Sequence, residues 1–199
     1  MNYENDLTTA TILTDLSAAF DTIDTSKLLE KLNFYGIQGI ELDIIASFMT
    51  DRTQFVTIDN FKSKTLASLE CSVIQGSKLS AMLYTIYTNE ITLLHTLMTD
   101  DIYEDMTGRT KIDFFDTKHT IVNYVDDSTN IVSSDNITKL QTYINNYYLL
   151  LEAYYNSNFL KINASKSNLM ITCKPRFRFL AKNIVLQASN YTIQQSTKI

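Results

Sequence analysis

Tyr124-Val125-Asp126-Asp127 is the stretch on which the fold turns. Thr120-Ile121-Val122-Asn123 precedes it and Asn130-Ile131-Val132 follows, both rich in β-branched residues, so the four residues form the bend of a predicted hairpin with both carboxylates at its tip. Two-residue turns favour Asn-Gly or Asp-Gly, because their central residues need positive φ, and this bend has no glycine. Acidic pairs also occupy solvated turns, so the hairpin alone assigns no function.

Upstream, Ala10-Thr11-Ile12-Leu13-Thr14 has the apolar, β-branched character of a buried strand and ends in Asp15. A strand that delivers one carboxylate at its end, beside a hairpin that delivers two, can gather three oxygen ligands. Hard divalent cations such as Mg²⁺ and Mn²⁺ prefer that donor set. Two such ions, about 4 Å apart, serve phosphoryl transfer by activating a hydroxyl and stabilising the leaving group. A third stretch, Val73-Ile74-Gln75-Gly76-Ser77, lies between the two.

Asp15-Leu16-Ser17-Ala18-Ala19-Phe20-Asp21, then Gln75-Gly76-Ser77 with Leu83 to Ile91, then Tyr124-Val125-Asp126-Asp127, resemble motifs A, B and C of reverse transcriptases, in order. Asn158 to Ile171 is similar to motif D, and Ser47 to Val56 is similar to the segment joining A to B in jockey-type, non-long-terminal-repeat retrotransposons. One short acidic motif would be weak, but four in order over roughly Ala10 to Lys174 are specific.

The resemblance implies an RNA-directed DNA polymerase palm. Asp15, Asp126 and Asp127 would hold two Mg²⁺ or Mn²⁺ ions, with Asp127 nearer the primer end. Phe20 would be the aromatic gate that excludes a 2′-hydroxyl, although a core aromatic is the competing explanation. Gln75 and Gly76 would touch the incoming nucleotide and the template, since glycine lets backbone approach a ligand and a helix N-terminus offers free N–H groups. Lys166 would protonate the departing pyrophosphate, with a solvated surface lysine as the alternative. Asp21 is also a candidate helix cap. The role of Tyr124 is open. Partners would be an RNA template, a DNA primer and deoxynucleoside triphosphates. The chain departs from the family at Ile74, where proline is usual, and at Ser80-Ala81, where Gly-Pro is common.

The 199 residues, 45% hydrophobic and 20% charged, fit a globular chain with one sizeable core. Neither a basic-then-apolar leader nor a run of about eighteen apolar residues is present, which predicts an intracellular protein that does not span a membrane, nuclear or cytoplasmic. Cys71 and Cys173 have no CxxC partner, so neither zinc nor a disulfide framework is expected. The net charge of −5 conceals a division: residues 1–152 carry ten basic and twenty-two acidic side chains, whereas 153–199 carry seven basic and none acidic. A purely basic last quarter offers phosphates a landing surface.

Periodicity predicts a helix from Asp24 towards Gly36, a second from Glu41 to Thr50, a strand at Phe55–Ile58 with its partner in Leu66–Val73, and one long helix from Leu79 to Met98. Thr99 to Asp116 is expected to be an exposed acidic insertion. A helix over Ile137–Asn156 and an edge strand at Leu169–Thr172 follow, with Ile184–Ile199 β-prone. The fold class is therefore α+β, a right-hand polymerase palm with helices packed on an antiparallel sheet. Residues 1–174 form the partial palm, and 175–199 a basic β-prone tail leading towards a primer grip and thumb. No Lys or Arg precedes Lys27, so a triphosphate-gripping fingers segment would come from elsewhere. Against the polymerase stands a second hypothesis, an inactive reverse transcriptase remnant that at most binds nucleic acid or protein.

Overall fold

The computed structural model describes residues 7–59, 61–63, 67–69, 71–99 and 117–196. In chain order the elements are β1 (Thr8–Thr14), α1 (Thr25–Phe34), α2 (Ile40–Met49), β2 (Arg52–Gln54), β3 (Thr57–Ile58), β4 (Phe61–Lys62), β5 (Ala67–Leu69) and α3 (Lys78–Tyr87). Two one-turn helices, α4 (Ile91–Leu94) and α5 (Thr96–Thr99), follow, then β6 (Lys118–Tyr124), β7 (Asp127–Ser134), α6 (Ile137–Ser157) and β8 (Asn168–Thr172). A 3₁₀ turn (Pro175–Phe177), α7 (Arg178–Ala181), β9 (Leu186–Gln187) and β10 (Thr192–Ile193) complete the chain. The described residues divide into two compact units, one drawn from Met1–Ser17, Glu90–Ser157 and Lys161–Ile199, the other from Ala18–Asn89 and Asn158–Leu160.

The first unit is built on a four-stranded antiparallel sheet in the order β6-β7-β1-β8. Alternation decides its faces: Thr8, Ala10, Ile12 and Thr14 of β1 are buried, as are Ser128, Asn130, Val132 and Ser134 opposite them. α6 packs on that face. Asn136 caps it, its side-chain oxygen accepting from the N–H groups of Thr138 (2.8 Å) and Lys139 (3.1 Å). Leu140, Ile144, Tyr147, Tyr148 and Leu151 form the helix's buried stripe, as the periodicity predicts, and Tyr143 and Tyr155 join them. α6 also holds the basic tail through polar side chains: Asn145 Oδ1 accepts from Gln187 N–H (3.0 Å), and Glu152 accepts from Ser189 N–H (3.1 Å) and Oγ–H (2.6 Å). β8 lies at the sheet edge, as expected.

In the second unit α1 packs against α2 and α3, with Ile23, Leu28, Leu32, Met49, Val73, Leu83, Tyr84 and Tyr87 buried. Asp24 is the α1 cap, accepting from Lys27 N–H at 2.8 Å. Two expectations need correction. The strand at Phe55–Ile58 is displaced: β2 begins at Arg52 and pairs with β5, while Thr57 and Ile58 turn back onto β4 through Asp59, which takes φ 52°. Asp at positive φ is turn chemistry that the β-branched run concealed. The long helix is also interrupted. α3 ends at Tyr87, where the Thr88 hydroxyl donates to Tyr84 C=O (3.1 Å) and Asn89 turns its amide to the Tyr35 hydroxyl (3.1 Å). Thr and Asn compete for backbone partners in this way and favour helix ends. The acidic insertion lies outside the described residues, apart from Thr99 at the end of α5.

Candidate active site

Three candidate acids lie in the first unit, Asp15 just after β1, and Asp126 and Asp127 at the β6–β7 hairpin. Asp126 is the second central residue of the β6–β7 turn, and Asp127 opens β7, paired with Tyr124. Only one central residue needs positive φ: Val125, at 56°. That is the pattern of a type II′ turn, in which glycine normally fills the first central position. Thr14 stands opposite Ser128, so continuing the register by one residue sets Asp15 beside Asp127, a strand-neighbour separation of about 5 Å between Cα atoms. Both lie on the sheet face away from α6, the face that also exposes Leu13, Val122 and Tyr124.

Asp15 is held on both sides of its backbone. Its N–H donates to Ser167 Oγ at 3.1 Å, and its C=O accepts from Asn163 N–H at 2.8 Å. One carboxylate oxygen, Oδ2, is buried and finds no hydrogen-bond partner among the described residues. A carboxylate oxygen removed from water without a partner is costly, and a cation at that position would offset the cost. The residues present therefore fit a hard divalent ion. Among the described residues no group of three or more His, Cys, Asp or Glu side chains is placed to hold a metal ion, so Asp15, Asp126 and Asp127 are not gathered into the expected three-carboxylate site. Mg²⁺ does not need one, since it is commonly held by one or two carboxylates together with substrate phosphates and water.

Lys166 is exposed on the turn Asn163–Ser167, its N–H donating to Asn163 C=O at 3.2 Å. Sequence reasoning named the lysine and missed its neighbours Asn163 and Ser167, which make the contacts to Asp15. Also unforeseen is the layer beneath the sheet. Taking the neutral tautomer, His119 donates from Nε2 to Asn130 Oδ1 (3.1 Å) and accepts at Nδ1 from the Tyr143 hydroxyl (3.0 Å). Burial lowers its pKa to about 4, Asn130 opposing the shift and His95 adding to it.

The second unit holds the other candidates. Phe20 is half-buried and stacks on Tyr84, ring centroids 5.2 Å apart and planes 26° from parallel. Its C=O accepts from Val73 N–H at 2.9 Å, which ties the motif A segment to the start of the Gln75 loop. Asp21 caps no helix, since Asp24 fills that position; it accepts from Gln75 Nε2 at 3.2 and 3.4 Å. Gly76 takes φ 85°, and a Cβ there would meet open space, so the glycine serves conformation rather than clearance. Ser77 stands at the α3 N-cap without a side-chain cap bond, which leaves the helix's first N–H groups to other partners. Asp21, Arg52, Cys71, Val73 and Gln75 line a cleft of about 580 Å³. Arg52 is a further residue that motif reading passed over. It donates from Nε to Met49 C=O (3.1 Å) and from Nη2 to both the C=O and the hydroxyl of Ser72.

An antiparallel sheet backed by helices, with acids at one strand end and at the adjoining hairpin, is the architecture of a nucleotidyltransferase palm. The chain belongs to the reverse transcriptase family: the model described as reverse transcriptase (RNA-dependent DNA polymerase) matches residues 2–184. Among solved structures, apo telomerase of Candida tropicalis, truncated from its C-terminal domain, superposes with a TM-score of 0.55 at 15% identity, over 83% of this chain and 31% of that one. Telomerase of Candida albicans, in complex with a TWJ fragment of telomeric RNA, gives 0.56 at 13% identity, over 84% and 28%. At these identities the likeness is one of fold, and the chain spans under a third of those telomerases. No curated protein matches it.

Proposed function

We propose that this chain is the palm of an RNA-directed DNA polymerase of a non-long-terminal-repeat retrotransposon, transferring nucleotides from deoxynucleoside triphosphates to a primer 3′-hydroxyl. The observation that carries the reading is Asp15 at the end of β1, one carboxylate oxygen buried and unpartnered, beside the strand that opens with Asp127. Family membership, in a family described as RNA-dependent DNA polymerases, supports both the activity and an RNA template.

Asp15 and Asp126 are the metal ligands of this reading, with Asp127 the second acid of the pair and closer to the primer. Two bound Mg²⁺ or Mn²⁺ ions would activate the 3′-hydroxyl and neutralise the leaving pyrophosphate. Phe20, braced by Tyr84, offers a flat apolar surface to the incoming sugar and leaves a 2′-hydroxyl without room or a partner. Gln75 exchanges its bond with Asp21 for contacts to nucleotide and template. The Gly76 backbone and the uncapped start of α3 face phosphate. Lys166, exposed and held on its turn, supplies a proton to pyrophosphate. No described helix is long and apolar enough to cross a membrane.

The test is primer extension on an RNA template with four deoxynucleotides and Mn²⁺, comparing the chain with Asp126→Asn. Extension by the parent alone is expected. Equal extension by both would trace the activity to a contaminant, and none by either would favour a module that only binds.

A further inference from the structure

β1 and β8 pair in register from Thr9↔Thr172 to Leu13↔Asn168, and the pairing resumes at Leu16↔Ile162. From 13 to 16 the chain advances three residues, whereas from 168 back to 162 it covers six. The surplus closes into a turn in which Ser167 N–H and Lys166 N–H both donate to Asn163 C=O, at 2.9 and 3.2 Å. Asp15 sits opposite this interruption, so its N–H has lost the ladder partner that an unbroken strand would supply. Ser167 takes that place. Its hydroxyl, on a residue only 5% exposed, accepts from Asp15 N–H and donates to Asn163 C=O at 2.9 Å. The Tyr148 hydroxyl faces those of Thr14 and Ser167 without reaching hydrogen-bond geometry with either, and burial raises its pKa.

We propose that Ser167 is a positioning residue for Asp15: its hydroxyl stands in for the missing strand and aims the buried carboxylate oxygen at the cation. The inference rests on the metal-binding reading of Asp15. Two hydrogen bonds, one on each side of Asp15, fix its peptide planes and with them the direction in which its Cα–Cβ bond leaves the backbone. Ser167 never touches the ion or the substrate. Because Lys166 precedes it, the same hydroxyl also ties the motif D lysine to the motif A aspartate.

The discriminating experiment is Mn²⁺ titration, read by electron paramagnetic resonance of the free ion, on the parent, Ser167→Ala, Ser167→Thr and Asp15→Asn, with amide hydrogen exchange at Asp15. Ser167→Ala should weaken Mn²⁺ binding by about tenfold, the scale of a lost residue behind a metal ligand. It should speed exchange at Asp15 and leave exchange at Ile12, within the unbroken ladder, unchanged. Ser167→Thr, which keeps the hydroxyl, should restore both. Parental Mn²⁺ affinity in Ser167→Ala overturns the assignment, and so does failure of threonine to rescue a folded protein. Asp15→Asn run in parallel separates the two claims. If it loses Mn²⁺ while Ser167→Ala keeps it, only the positioning role falls; if it keeps Mn²⁺, the metal reading itself falls.

Discussion

At Val125 the backbone takes φ 56° beneath a β-branched side chain, a conformation that costs about 1–3 kcal/mol. Glycine would relieve it, at about 0.5–1 kcal/mol of added chain entropy. Val125→Gly should therefore stabilise the fold by about 1 kcal/mol in urea unfolding. If it destabilises instead, Val125 has contacts that outweigh the strain. Valine narrows the freedom of the residue that carries the Asp126 carboxylate, which is a reason for tolerating strain at this bend. Phe20 sets a second test. With its ring replaced in Phe20→Val, ribonucleotide incorporation should rise about tenfold or more relative to deoxynucleotide in primer extension. Unchanged discrimination would make Phe20 a packing partner of Tyr84 alone. Asp15, Phe20, Gln75 and the Asp126-Asp127 pair stand out in the sequence as candidates because each belongs to a short local pattern. Ser167 does not, because its partner lies 152 positions away in sequence and only a break in strand register brings the two together.

α6 shows what a periodic stripe conveys and what it hides. Its buried face was visible as spacing, yet the stripe is built from tyrosines whose hydroxyls need partners, and spacing is silent on those. Tyr147 is fully buried with an orphaned hydroxyl among the described residues, and its ring is met edge-on by His119 at 4.4 Å. Removing that hydroxyl in Tyr147→Phe should stabilise the protein by about 1 kcal/mol, because a buried unpaired polar group costs about 1–3. His119 makes the same layer pH-sensitive. Its folded pKa, about 4, lies below the 6.5 of an unfolded histidine, so the unfolded chain binds the proton first as pH falls. The stabilisation is complete above about pH 6.5 and is lost progressively towards pH 4, on the order of 3 kcal/mol in all. His119→Gln should flatten the stability profile across that window relative to the parent. Elsewhere the element boundaries failed where turn and cap chemistry overrode an apolar run, at Asp59 and at Thr88-Asn89. Periodicity records which face a segment buries. It does not record where a hydroxyl or an amide diverts the backbone.

Over the whole molecule, charge is the property most visible in sequence and least visible in its sum. The seven basic residues of 153–199 include Lys174, Arg176, Arg178 and Lys182, carried by the 3₁₀ turn, α7 and their flanks, where Phe179 is 80% exposed. A nucleic acid that lays its phosphates on this segment releases counterions, and affinity then falls with salt by about 0.7–0.9 logarithmic units per phosphate contact. The twenty-two acids all precede residue 153, so replacing these four cations removes attraction without altering the acids around the hairpin. Substituting all four by glutamine should lower the salt slope of RNA binding by about 3, measured by fluorescence anisotropy across a salt series. The exchange should leave Mn²⁺ binding as in the parent, because it is electrostatic and lies beyond β8. An unchanged slope would place the phosphate contacts on other cations and make the basic tail a solvated surface. A reduced slope with intact metal binding would divide the labour within the sequence, with the acids of β1 and the hairpin holding cations and the last quarter holding the strand to be copied.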